Sequence, residues 1–325
     1  MTLEEAIADH MKLIDLELQL EELALWQRPL RAAIKFTLES IIEIRGDTKE
    51  NFATKEWFAI IFHHIENWYR ETYGSAFEKS SGDSVCSGVL LIRHVPVELR
   101  VPLTRTTPGT PGETVWLHFP IAMERGEKPE DWLINPPNLA KLEPSETRKL
   151  HKRMAATAVS LRRIRMNTMG VIAADNEIKE LIEGVLADLQ NCAKGLIAND
   201  DAMRGAAMWS LQMAAERTIK AFIFQKTGKK YREIHDLFYL YDDALPHCAG
   251  INRNLLKKLP NSREMVDGRY GLGGKWTIHF ATEAYFAGLT LIAEFTSLLD
   301  RSLSVGGGRA LVKRPPWSTL PEPNT

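Results

Sequence analysis

The chain lacks most of the features that would fix a function class at once. It has only three cysteines in 325 residues, Cys86, Cys192 and Cys248, and no two form a Cys-x-x-Cys pair. That argues against a zinc ribbon, and three widely spaced thiols suit a reducing cytoplasm better than a disulfide framework. No stretch approaches the roughly 18 uninterrupted apolar residues of a membrane span. The acidic opening MTLEEAIADH lacks the basic start and apolar run of a signal peptide. The expectation is a soluble, cytoplasmic protein with no membrane partner. A formal net charge of -1 excludes a polycation, so any nucleic-acid role has to come from a local patch. Gly271–Gly274 and Gly306–Gly308 lack the Lys-Ser/Thr of a Walker motif and the strand context of a Rossmann turn, and no His-Glu-x-x-His pattern occurs. No cofactor and no metal is expected.

What is present is an ordinary globular composition, 44% hydrophobic and 26% charged, in a chain long enough for about two domains with separate cores. Residues 3–45 have helical periodicity, interrupted near Pro29. Residues 52–78 form an aromatic-rich helical stretch in which His63 and His64 read as packing residues. From 86 to 120 the period changes to two: Val89-Leu90-Leu91-Ile92, Val95, Val97, Leu99, Val101 and Leu103, then Val115, Leu117 and Phe119 beyond the turn-rich TTPGTPGE. This predicts a small antiparallel sheet of two or three strands. Four prolines in 121–145 predict a loop.

A helix is then expected over 145–167, with Ser145 as its N-cap. At 100° per residue, Arg148, Lys149, Lys152, Arg153, Arg162 and Arg163 share one half, opposite Leu150, Met154, Ala158, Leu161 and Ile164. Six cations on one face can track phosphates. They can equally form a solvated face salt-bridged to the acidic N-terminal helices.

Residues 176–198 show the cleanest amphipathic repeat, and 202–225 are apolar nearly all round, as a central buried helix would be. Glu216 and Lys220 sit at i and i+4, and Gly228 is placed to end that helix. A short helix begins near His235-Asp236-Leu237, and a last long one covers 276–303. The last helix carries more apolar residues than one stripe needs, among them Phe280, Tyr285, Phe286, Leu289, Ile292 and Phe295. The surplus predicts a homodimer through this face, with the N-terminal half of the same chain as the competing cover. Residues 304–325, rich in Gly and Pro and holding Trp317, read as a flexible tail.

The series Ala-Ala-Glu-Arg-Thr-Ile-Lys-Ala (214–221), a helix-ending Gly, His235-Asp236-Leu237, then Arg269-Tyr270-Gly271 before a long helix resembles the HEPN family of helical domains. The likeness covers residues 176–303. It implies a mainly α protein: a HEPN-like four-helix bundle over 171–303, preceded by an α+β region over 1–170 with the small sheet. Many members of that family are ribonucleases of toxin–antitoxin, defence or RNA-processing systems, built on an Arg, four to six residues, then a His shared across a dimer. Others bind nucleotides without catalysis. Here His279 is well placed, but Lys275 has only three residues between itself and His279, and Arg269 has nine. Cleavage needs a base and a charge on the phosphorane, for which a forked Arg suits better than Lys. The resemblance therefore implies an RNA- or nucleotide-binding protein that is non-catalytic or degenerate. An atypical metal-independent ribonuclease using His279 with Lys275 or Arg269 is the alternative, and a structural protein that uses the bundle for dimerisation is a third. His235-Asp236 reads as a cap and a buried hydrogen bond, and Arg269-Tyr270 as an anchor for the loop before the last helix.

Overall fold

The computed structural model describes residues 2–80, 85–110, 113–173, 176–248, 250–261, 264 and 276–314. It is mainly helical, with two small antiparallel sheets. No helix among the described residues is long and apolar enough to cross a membrane. Arg269, Tyr270, Lys275 and Trp317 lie outside the described residues.

The chain divides into two compact units, Met1–Asp83 with Thr106–Leu117 and Ala310–Thr325, and Ser84–Arg105 with His118–Arg309. In the first unit, α1 (Leu3–Leu20) opens on a capping box in which Thr2 and Glu5 exchange hydrogen bonds. It packs with α2 (Arg28–Lys35) and α3 (Glu56–Tyr73), and α4 (Ser75–Ser80) follows. Their shared core is Ile7, Met11, Ile14, Leu18, Ala33, Phe58, Ile65 and Tyr69. Buried Asp15 is held by Arg28 at 3.4 Å, by Gln19 at 2.6 Å and by the Tyr73 hydroxyl.

The strands depart from the single sheet read in the sequence. β1 (Val85–Ile92) and β2 (Val95–Pro102) form a hairpin in register Ile92↔Val95, and β5 (Leu133–Ile134) adds to β2. A separate sheet has the order β3 (Arg105–Pro108), β4 (Thr114–His118), β6 (Arg309–Lys313). Part of the expected tail is thus a strand: Arg309–Lys313 supplies backbone groups to β4, which a reading for apolar periodicity passes over in five exposed residues.

In the second unit, α5 (Pro144–Thr168), α6 (Asn176–Ile197), α7 (Asp201–Thr227), α8 (Leu237–Ala244) and α9 (Ile278–Ser297) surround one continuous core. The cap of α5 is Glu143, not Ser145: Glu146 Oε2 accepts from the Glu143 N–H at 2.9 Å, and Pro144 occupies the first helical position. Asp200 caps α7, and Gly228 ends it at φ +66 with its N–H on Phe224 O at 2.9 Å. The Glu216–Lys220 pair forms at 2.6 Å inside the bundle.

This core does not respect a boundary at residue 170. Cys86, Leu90, Val97, Leu99, Met154, Leu161 and Ile164 are buried in the same cluster as Val185, Leu211, Phe222 and Phe295. The physical reason is α9, whose apolar residues need more cover than α6 and α7 provide. α5 packs along it, and β1 reaches it too. A Cβ on Gly88 of β1 would come 2.7 Å from the Thr157 methyl of α5, so the missing side chain permits this approach. Tyr285, Leu289, Leu291 and Ile292 are accordingly buried, and Phe280 remains 36% exposed. The surplus that argued for a homodimer is covered by the chain's own α5 and β1, and that argument for a dimer falls away.

Arg162, assigned by helical periodicity to the cationic face, is fully buried. Its guanidinium forks onto Glu127, Nη2 to Oε1 at 2.6 Å and Nη1 to Oε2 at 2.8 Å, and also donates to Ala122 O and Pro102 O. Burial pushes the Glu127 carboxyl up, but the Arg162 and backbone hydrogen bonds more than offset this and hold it below the usual carboxylate value of 4.5. The pair clamps α5 to Pro102 and to residues 122–127. Its contribution is complete above the unfolded value and is lost as the pH falls through the lowered folded value. Glu127→Ala, which strands a buried cation, is expected to cost about 3–5 kcal/mol in urea unfolding, whereas Arg163→Ala stays within about 0.5 kcal/mol. Acidification below pH 4.5 should destabilise the native chain more steeply than a Glu127→Gln variant.

Candidate functional site

The site grows from the start of α9. Thr277 caps the helix, its hydroxyl accepting from Phe280 N–H at 3.1 Å, and His279 follows two residues later with its ring exposed. One turn on, Glu283 holds Arg153 of α5 at 2.6 Å. The Arg153 guanidinium lies 4.2 Å from the centre of the Phe286 ring, so its plane is fixed by an ion pair and an aromatic face together. Lys149 stands one turn before Arg153 on α5, exposed. These residues line a cavity of about 240 Å³ whose apolar wall includes Leu91, Leu142 and Leu150. Two groups that the sequence kept apart, the cations of α5 and His279, are brought to one place.

The turn between β1 and β2 completes the cavity. Register Ile92↔Val95 leaves Arg93 and His94 as a two-residue loop, and both have positive φ, +48 and +64. Such turns favour Asn-Gly, because side chains in the left-handed region are strained. Arg93 lines the cavity and donates to Glu146 at 2.9 Å and to Lys141 O at 2.8 Å. The Arg93 hydrogen bond holds the Glu146 carboxyl below its ordinary range, and that same bond raises Arg93. The His94 ring lies 6.5 Å from the His279 ring, centre to centre, tilted by 52°. Sequence reasoning missed both turn residues. The available signal was a pair of alternating runs joined by Arg-His where a two-residue hairpin calls for Asn-Gly.

The lining carries Arg93, Lys149 and Arg153 against Glu146 and Glu283, an excess of one positive charge (3 − 2), with His279 beside them. Oriented cations, the His279 imidazole and an apolar wall suit a phosphate with a base or sugar attached.

Other expected site residues lie elsewhere. Arg148, Lys152 and Arg163 are exposed. Neither they nor Lys149 makes an ion pair among the described residues. Arg163 lines a second cavity, with Asn167 and Glu294. Asp236 caps α8, accepting from Phe238 N–H at 2.9 Å, and His235 meets buried Glu216 at 3.0 Å. Neither His235 nor Asp236 lines the His279 cavity. Among the described residues no group of three or more His, Cys, Asp or Glu side chains is arranged to hold a metal ion.

No family model, no curated protein and no solved structure matches the chain.

The turn provides a test that needs no ligand. His94→Gly relieves a left-handed side chain and keeps the hairpin. It is expected to raise unfolding stability by about 1 kcal/mol. A loss of stability of that size would show that the imidazole holds the hairpin together.

Proposed function

We propose that this protein binds RNA or a nucleotide through its phosphate at the cavity between the start of α9, α5 and the β1–β2 turn. The observation that carries this reading is the convergence of Lys149, Arg153 and Arg93 on His279 at a helix N-terminus. The residues that resemble the HEPN family point the same way. The exposed cations Arg148 and Lys152, on the same helix as Lys149, extend positive charge beyond the cavity for a longer strand. Glu146 and Glu283 orient the arginines rather than cancel them: each engages one side of a guanidinium and leaves further donors for a ligand.

Binding of a labelled single-stranded RNA is expected to weaken with salt. If about three to four phosphates are neutralised, log K falls with log[salt] with a slope of about −2 to −3. Lys149→Glu combined with Arg153→Glu should reduce affinity at least tenfold, on the order of 1.4 kcal/mol or more, while Lys229→Glu leaves it unchanged. Unchanged affinity in the double variant would move the site away from this cavity. Undetectable binding of RNA and nucleotides at low salt would remove the reading.

A further inference from the structure

We infer that the second cavity, between the later turns of α5 and α9, is a binding site for a free α-amino acid. It shares no lining residue with the phosphate cavity and does not depend on that reading. Its volume is about 320 Å³. Ligand sites run from roughly 300 to 1,000 Å³, so this one suits a small molecule.

The two helices bring opposite hydrogen-bonding character to it. α5 contributes donors. Arg163 lines the cavity, is exposed, and makes no ion pair among the described residues. Asn167 lines it too, and its Oδ1 accepts from Arg301, which fixes the amide and leaves the NH2 to donate. α9 contributes acceptors. The Thr290 hydroxyl donates to Phe286 O at 2.9 Å, and the Ser297 hydroxyl to Glu294 O at 2.6 Å. Each hydroxyl proton is thus engaged within its own helix, and only oxygen lone pairs remain for a ligand. Glu294, on the same lining, also makes no ion pair among the described residues. Its Oε2 is buried and makes no well-formed hydrogen bond. Burial raises its carboxyl above the ordinary value, and the nearby Asn252 N–H offsets only part of the rise.

An unpaired cation and an unpaired carboxylate at one cavity ask for a ligand with both charges. An inorganic anion would answer Arg163 and be opposed by Glu294, and a simple amine would do the reverse. A zwitterion meets both. Its carboxylate suits the guanidinium fork and the Asn167 amide. Its ammonium carries three donors, matched by Glu294 and the oxygens of Thr290 and Ser297. Ile121 and Ala293 form the apolar wall, which favours a small uncharged side chain.

The test is calorimetric titration of the full chain with each of the common amino acids, and with the N-acetyl and amide forms of those that bind. At least one amino acid with a small uncharged side chain is expected to bind saturably at millimolar concentration or below. Blocking either end should weaken it about tenfold or more. Arg163→Ala should lose about tenfold for the amino acid and bind the amide as the native chain does. Glu294→Gln should lose about tenfold for the amino acid and bind the N-acetyl form as the native chain does. That crossed pattern assigns each end of the ligand to one helix, and a merely structural role would not produce it. Arg163 is exposed and Gln matches Glu in size, so both variants should keep the native unfolding temperature within a few degrees. Lys149→Glu, in the other cavity, should leave amino-acid affinity unchanged. Absence of saturable binding by every amino acid, equal binding of the blocked forms, or native affinity in both variants overturns the inference, and none of these outcomes touches the phosphate reading.

Discussion

Everything at the cavity depends on the last helix having to bury more than one face. α9 is apolar nearly all round, and α7 accounts for only part of that surface. Burial of a Leu, Ile or Phe is worth about 1.5–3 kcal/mol, so leaving Tyr285, Leu289 and Ile292 uncovered would cost more than a small domain has to spare. α5 and β1 are the cover. Once α5 lies along α9, Lys149 and Arg153 stand beside His279, and the tip of the β1 hairpin reaches the same spot. The site is thus a by-product of core packing, which is why its residues come from three elements far apart in sequence.

Electrostatics then arranges what packing has gathered. The buried Arg162–Glu127 fork fixes α5 against residues 122–127. The pairs Arg153–Glu283 and Arg93–Glu146 are partly exposed and contribute little to stability. Their consequence is orientation: each carboxylate restrains a long side chain that would otherwise lose about 2 kcal/mol of rotamer entropy on meeting a ligand. The strained Arg93-His94 turn belongs to the same pattern, since a hairpin selected for stability alone would carry Asn-Gly there.

The long elements were legible in the sequence because their periodicity is local. α6, α7 and α5 begin and end within a residue or two of the expected positions, and Gly228 closes α7 as its lack of a side chain suggests. The strands of the hairpin were equally plain. What periodicity does not carry is the identity of a partner from elsewhere in the chain. Arg162 falls near Arg163 on a helical wheel, and only Glu127, 35 residues away in sequence, makes it a buried residue. Nor does periodicity show that cover for α9 comes from residues before 170. His279 stood out because it begins a helix, and Lys149 and Arg153 because they belong to a cationic run. Arg93 and His94 sat unremarked in a hairpin, their meaning set by tertiary proximity.

The most direct measurement of the central claim, that phosphate binds where the hairpin tip meets the start of α9, is a titration of the full chain with a short RNA followed through the imidazole resonances of its nine histidines. The account requires the His94 and His279 rings to shift together and saturably, with His63, His64 and His235 unmoved. Shifts confined to His235 or to the first unit, with His94 and His279 silent, would contradict it.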